Sequence, residues 1–457
     1  MAGLGGGSGK SVVAVGLTAL LSRQGQRVAP FKKGPDYIDA GWLALAAGQP
    51  CYNLDPYLME PETMLASLVR HSRAADALII EGNRGLYDGV DVEGRFSTAE
   101  LAKLLGLPVL LVVDCTKTTR TVAAQVLGCR EFDRELTIAG VVLNRVGTDR
   151  HESLVREAVE RYTSIPVVGA IPRSRHDVFP QRHLGITPTP EHGGAAGAID
   201  ALVERAAHYL DLERIIAIMG TVAATEETVV AESPPASGQV RIGYLKDAAF
   251  QFYYAENLEA LEQAGAELVP INALTAAILP EIDGLYIGGG FPETSARELS
   301  ANAGFRAAIK AAAGQGLPIY AECGGLIYLG DRLTLEGIDY PLVGLFPIHF
   351  SLQRKPQAHG YTVLTVDGDN PFYAKGETIK GHEFRYSRVE HYGGDAAKLA
   401  FRMERGEGFL EGRDGLVHNN VLALYTHIHA LGTPQWAPAL VAKAREYRQR
   451  HQETGGE

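Results

Sequence analysis

The chain has 457 residues, 46% of them hydrophobic and 21% charged, enough apolar material for two or three domains with sizeable cores. Its formal net charge of −11 argues against a nucleic-acid or anionic-membrane surface. Four widely spaced cysteines (Cys51, Cys115, Cys129, Cys323) form no Cys-x-x-Cys pair, which argues against disulfides and zinc and fits a reducing cytoplasm. No basic-then-apolar signal peptide is visible, and no apolar run is long enough to span a bilayer.

Near the start, Gly3-Leu-Gly-Gly-Gly-Ser-Gly-Lys-Ser11 runs into an apolar helical pattern from Val12 to Leu21. A glycine-rich turn at a helix N-terminus cradles phosphate with backbone N–H groups. Gly3, Gly7 and Gly9 shape that turn, Lys10 reaches the terminal phosphates, and Ser11 ligates magnesium. The strict P-loop wants glycine where Leu4 stands; a loop longer by one residue begins at Gly3 and resembles that of dethiobiotin-synthetase-like ATPases. A flexible glycine-rich start is the plainer alternative. Only Met1 and Ala2 precede Gly3, so either the first strand is a stub or translation begins upstream.

Gln26 to Phe31 read as a strand that enters Lys32-Lys-Gly-Pro-Asp-Tyr-Ile-Asp39. Two lysines and two acids beside glycine and proline suit a loop that handles phosphate and magnesium, although a solvated charged turn has the same composition. Ala77 to Gly82 form a strand with Glu81 at its C-terminal end, where open α/β sheets place ligands. Glu81 is a candidate magnesium ligand and Asp88 a candidate substrate-side acid; a lone acid there also serves as a helix cap. Arg84 is placed to meet a substrate carboxylate. Ser97–Leu105 read as a helix, and Pro108–Asp114, Ile138–Arg145 and Pro166–Pro172 as strands. The alternation predicts a parallel, doubly wound sheet. Asn144 follows its strand as an Asx turn would, and resembles the adenine-reading asparagine of dethiobiotin-like ATPases. One helix over Gly197–Arg214 closes this half, and Thr225–Gln239 read as linker.

The second half opens with a strand, Val240–Leu245, and an aromatic run into a helix through Leu258 and Leu261. Leu285-Tyr-Ile-Gly-Gly-Gly-Phe-Pro-Glu293 is an apolar strand ending in three glycines. Pro318–Ala321 is a strand, Leu326–Leu329 starts a helix, and Cys323 sits at the joint with Ala321 and Gly325 two residues to either side. A nucleophile on such an elbow needs small residues there, and a helix N-terminus favours a thiolate. Gly289, Gly290 and Gly324 are candidate oxyanion donors. Val421–His429 reads as one strand that delivers His427 and His429. A cysteine with a distant histidine is the minimum for thiolate acyl transfer, while a buried structural cysteine is the alternative.

Several signatures in order give the chain a family resemblance. Lys32–Asp39, Glu81–Gly89, Gly288-Gly-Gly-Phe-Pro-Glu293, Glu322-Cys-Gly-Gly325, Gly381–Ser387 and Tyr425-Thr-His427 resemble the cobyrinate a,c-diamide synthases. In that family a dethiobiotin-synthetase-like ATPase domain is fused to a class I glutamine amidotransferase domain. The resemblance implies two α/β domains, 1–215 and 240–457, joined by 216–239. It implies Cys323 as glutaminase nucleophile with His427, or alternatively His429, as base. Lys32 and Asn144 fall on the nucleotide side, Asp36 and Glu81 on magnesium, and Asp36, Tyr37, Asp39, Arg84 and Asp88 toward the activated carboxylate. ATP, L-glutamine and a cyclic tetrapyrrole are the implied small molecules, in cobalamin biosynthesis. A sheltered ammonia path is expected, and a homodimer is one expectation for the assembly. Ala40-Gly-Trp-Leu43 and Asn83-Arg84 depart from the family pattern, which keeps sirohaem or a metal-sirohydrochlorin as a second substrate. A regulatory or partitioning ATPase is the alternative of another class.

Overall fold

The structure is a computed structural model that describes residues 1–174, 181–182, 185–189, 193–221 and 240–454. The chain divides into two compact units, Met1–Val230 and Ala231–Glu457. Most of the expected linker, 222–239, lies outside the described residues, as do His183 and Leu184 of Gln181-Arg-His-Leu-Gly185, a stretch that resembles the family's Arg-His-Leu-Gly.

Unit one carries parallel strands in two sets, Tyr52–Leu54, Val28–Lys33 and Ala77–Glu81 in one, Ala2–Gly3, Val109–Asp114, Ile138–Val146 and Val167–Pro172 in the other. Their near-continuous Val, Ile and Leu runs suit strands covered on both faces. The short first strand holds its place: Ala2 pairs with Leu111, the Met1 nitrogen donates to Ile80 O at 2.8 Å, and Gly82 N–H donates back to Met1 O. Met1 thus stitches the two sets together. Beside it opens a cavity of about 490 Å³ lined largely by apolar side chains, among them Leu78, Ile80, Val109, Leu110 and Ile218. The first helix, Lys10–Arg23, extends the predicted span at both ends, with Gly9 at φ 92° as its N-cap.

The helix expected over 197–214 is two helices, Ala195–Tyr209 and Leu212–Met219. The break has a local cause. Leu210 bridges to Gly169, Asp211 N–H donates to Val168 O at 2.8 Å, and the Asp211 side chain accepts the Arg214 N–H as a new N-cap.

Unit two has a six-stranded sheet in the order Ala266–Ile271, Val240–Leu245, Gly284–Ile287, Ile319–Glu322, Val421–Leu424, Leu416–His418, with only the last strand antiparallel. An antiparallel five-stranded sheet runs from Arg413–Asp414 through Phe401–Arg405, Ala358–Val366 and Thr378–Arg385 to His427–Ile428. The strand expected over 421–429 is therefore split: Val421–Leu424 stays in the first sheet and His427–Ile428 joins the second. Asp414 makes the split. Its buried carboxyl accepts N–H bonds from Tyr425 at 3.1 Å and Thr426 at 3.2 Å, which draws the backbone off the parallel ladder. Burial pushes that carboxyl up to about 7.

Replacing Asp414 with alanine strands three buried N–H groups, those of Gly415, Tyr425 and Thr426. It is expected to cost about 2–4 kcal/mol of unfolding free energy in denaturant melts, and to weaken glutamine hydrolysis more than ATP turnover.

Candidate active site

Cys323 is the N-cap of the six-residue helix Gly324–Leu329, with its backbone at φ 47° and ψ −97°. A residue with a Cβ is strained there by about 1–3 kcal/mol, a cost met mainly at functional sites. Glycines make the bend possible. A Cβ on Gly325 would overlap the Ile287 carbonyl oxygen, and one on Gly324 would stand 3.0 Å from the Gly290 nitrogen. The buried thiol is hydrogen-bonded to His427. His427 comes from the antiparallel sheet, where it pairs with His382, and the Gly289 backbone lies against its ring. The Gly289 carbonyl accepts from Gln251 N and Phe252 N, both at 3.1 Å, which pins the glycine loop.

The electrostatics separate three buried histidines. Burial opposes charge on His427, but the Cys323 sulfur and the Glu322 carboxylate outweigh it and hold the imidazole up at about 10. Glu322 Oε2 lies 3.5 Å from His427 Nδ1. His382 stacks on His427 with ring centroids 4.9 Å apart. Burial first, then the charges of His427 and His429, keep His382 well below its usual value. His429 is turned elsewhere: its Nε2 lies 3.7 Å from Glu256, and its Nδ1 accepts the Leu431 N–H at 3.2 Å. Of the two histidines expected as base, His427 is the one at the sulfur.

In unit one, Gly7 at φ 76° and Gly9 at φ 92° give the loop its left-handed turns. Lys10 Nζ curls back to 3.5 Å from Gly5 O. Burial and the nearby Lys32 charge lower Lys10 from its usual value. Lys32 is 1% exposed and lies 2.7 Å from Asp39, 3.1 Å from Glu81 and 3.6 Å from Asp36. Burial opposes its charge, but Asp39 and Glu81 raise it well above the usual lysine range. Ser11 Oγ donates to Glu81 Oε1 at 2.8 Å, while Glu81 Oε2 is buried with no hydrogen-bond partner among the described residues. Burial and then Asp39 push Glu81 up to about 7 and Asp36 up to about 6.

Not every expected residue converges. Asp36 caps the helix Ile38–Ala47 by accepting the Ile38 and Asp39 N–H bonds, and Tyr37 is the N-cap position itself. Asn144 makes no local turn: its Nδ2 donates to Ser8 O at 2.9 Å and fills the space a Cβ on Gly9 would need. It braces the P-loop from beneath. Arg84 and Asp88 are exposed, and Asp88 accepts the Gly85 N–H at 2.8 Å. Trp42, in the stretch that departs from the family pattern, is fully buried with its indole N–H on Thr187 O. That departure is core packing.

With this geometry described, comparison with known proteins is decisive. Residues 1–184 match the model of a CobQ/CobB/MinD/ParA nucleotide binding domain, and 241–435 that of a CobB/CobQ-like glutamine amidotransferase domain. A cobyrinate a,c-diamide synthase of Magnetococcus marinus is 45% identical over 97% of this chain and 95% of its own length. The enzyme of that name from Archaeoglobus fulgidus is 39% identical over 95% of each chain. The chain belongs to the cobyrinate a,c-diamide synthase family. Membership extends over both units, so the cysteine elbow and the P-loop are parts of one family architecture. Among the described residues, no helix is long and apolar enough to cross a membrane.

Sequence reading within the family motif passed over Glu322. It lies beside the nucleophile, and its signal was an acid closing an otherwise apolar strand. Gly289 offers a direct check on the centre. Gly289→Ala drives a methyl group into the His427 ring, and glutamine hydrolysis is expected to fall about 10²-fold, the scale of a 1 Å misplacement, in a glutamate-release assay.

Proposed function

We propose that this protein amidates the a and c acetate carboxylates of cobyrinate, using ATP and glutamine. The observation that carries the reading is the bent, buried Cys323 hydrogen-bonded to His427, on one chain with a P-loop whose Lys10 and Ser11 stand beside buried acids. In unit two, the Cys323 sulfur attacks the glutamine side-chain carbonyl. Its proton, held on His427, passes to the leaving nitrogen, and ammonia departs. Gly289, Gly290 and Gly324 N–H groups hold the oxyanion. Water then cleaves the thioester to release glutamate. In unit one, the carboxylate attacks the γ-phosphate and gives an acyl phosphate plus ADP. Ammonia displaces phosphate from it and leaves the amide.

Lys10 and the loop N–H groups bind the phosphates, and Asn144 serves the adenine side of the loop it braces. Arg84 and Asp88, with Tyr37 and Asp39, face the activated carboxylate. Among the described residues no three His, Cys, Asp or Glu side chains form a metal cage. Magnesium suits a site with few protein ligands, because it keeps waters and leans on phosphates. The Ser11 hydroxyl and the orphaned Glu81 oxygen fit that need, with Asp36 next in reach. The ion when bound neutralises charge on the β- and γ-phosphates. A partitioning ATPase has no use for the Cys323–His427 pair. Sirohaem or a metal-sirohydrochlorin stays the alternative substrate, resting on the departures at Ala40–Leu43 and Asn83-Arg84.

Cys323→Ala is expected to abolish glutamine-driven amidation and keep ammonia-driven amidation; Lys10→Ala is expected to abolish both. Mass spectrometry on cobyrinate and sirohaem side by side reads the result, and two amide substitutions confined to sirohaem would refute the substrate. The pH profile gives a further check. A raised imidazole pKa keeps the proton through neutral pH and loses it as pH rises through about 10. Glutamine turnover should be flat near neutrality and fall on an alkaline limb near that value.

A further inference from the structure

We propose that Glu322, the residue immediately before the nucleophile, is the positioning acid of the glutaminase, holding His427 in the orientation and charge state that serve Cys323. The inference rests on the glutaminase reading above and adds a third member to its cysteine–histidine pair.

Neighbouring residues of a strand point to opposite faces. Glu322 and Cys323 are neighbours, yet both meet the same imidazole. The bend at Cys323, φ 47° and ψ −97°, takes the sulfur out of the pleat and back toward the ring that Glu322 already faces. The backbone strain therefore brings acid and thiol onto one histidine.

Glu322 is itself tightly held. It is 0% exposed. Oε1 accepts the Ile428 N–H at 3.1 Å, and Oε2 accepts the Tyr286 hydroxyl at 3.1 Å. Both partners donate, the pattern of an ionised carboxylate, which only accepts. A buried carboxylate needs a counter-charge, and His427 Nδ1 stands 3.5 Å from Oε2. That distance is long for a hydrogen bond, and such contacts often tighten when substrate binds. The Ile428 bond adds leverage, because it fixes the backbone directly after His427. An imidazole that gives Nδ1 to a carboxylate presents Nε2 to the thiol.

No other side chain takes this part. Two residues beyond His427 stands His429, paired with Glu256. The groups facing His427 from its other sides are the stacked His382, with the Tyr254 hydroxyl 3.4 Å behind it, and the Gly289 backbone. His382 stays neutral and so supplies no negative charge.

The test compares wild type, Glu322→Asp and Glu322→Gln as full chains. Glutamine keeps the shape and the acceptor for Ile428 N–H but removes the charge. We expect its glutaminase kcat to fall about 10²- to 10⁴-fold, the range for an acid that orients a catalytic histidine, with KM for glutamine unchanged. Its alkaline limb should move down by about one pH unit or more, and ammonia-driven amidation should persist. Glu322→Asp keeps the charge and should recover part of kcat. A structural role alone predicts equal damage in both variants, or loss of ammonia-driven activity, with the limb unmoved; that result overturns the proposal, as does a Glu322→Gln kcat equal to wild type. Should Glu322→Gln fail to fold, the limb and kcat of Glu322→Asp decide: an unmoved limb with unchanged kcat rejects the role. Absence of glutamine hydrolysis in wild type itself, or its survival in Cys323→Ala, would instead sink the glutaminase reading on which this one stands.

Discussion

The meeting of Cys323 and His427 depends on a single bent peptide. If Cys323 relaxed into ordinary β geometry, its sulfur would return to the alternation of the strand Ile319–Glu322 and leave His427. What prevents this is packing. Gly325 lies so close under the Ile287 carbonyl that no side chain fits, and the Cys323 N–H donates to Leu424 O at 2.8 Å. The strain, about 1–3 kcal/mol, is small beside the burial around it: Ile319, Tyr320, Ala321, Leu326, Tyr328 and Leu329 are all fully enclosed. A well-packed core over-determines the turn, and the turn sets the chemistry.

Unit one uses a different balance. One buried lysine stands among three carboxylates, and burial first, then the Asp39 charge, raises two of them, Glu81 to about 7 and Asp36 to about 6. Asp39, in direct contact with Lys32, is held below the usual carboxylate range although burial opposes it. Lys10 is lowered by burial and by Lys32. Raised acids and a lowered lysine thus share one small volume around Lys32.

The sequence made much of this legible, for physical reasons that can be named. Parallel strands buried on both faces are plain apolar runs, so the Val109–Asp114 and Val240–Leu245 strands stand out. The P-loop and the elbow are local, and glycine spacing reports local backbone demands. What escaped was non-local. Nothing in Val421–His429 marks the change of sheet after Leu424, because its cause is Asp414, on a different strand. The helix over 197–214 looks continuous, because the break at Leu210 is set by Val168 and Gly169 across the sheet. Asn144 read locally as an Asx turn, yet its amide donates to the Ser8 carbonyl 136 residues away. Glu322 was in plain view within a motif, but its partner is assigned only once the Cys323 bend and the split histidine strand are both known.

The two centres differ in what they need before they act. In unit two, burial opposes charge on His427, and the adjoining Cys323 and Glu322 hold its imidazole up at about 10. In unit one, the compensation is incomplete, and Glu81 keeps a buried oxygen without a partner. Buried polar atoms left in that state are costly, and the cost is relieved by ligand. Nucleotide binding therefore has the larger effect on unit one, tightening acids and lysines that oppose each other in its absence. A ligand has something to tighten in each unit: the Glu81 carboxyl in unit one and the 3.5 Å His427–Glu322 contact in unit two.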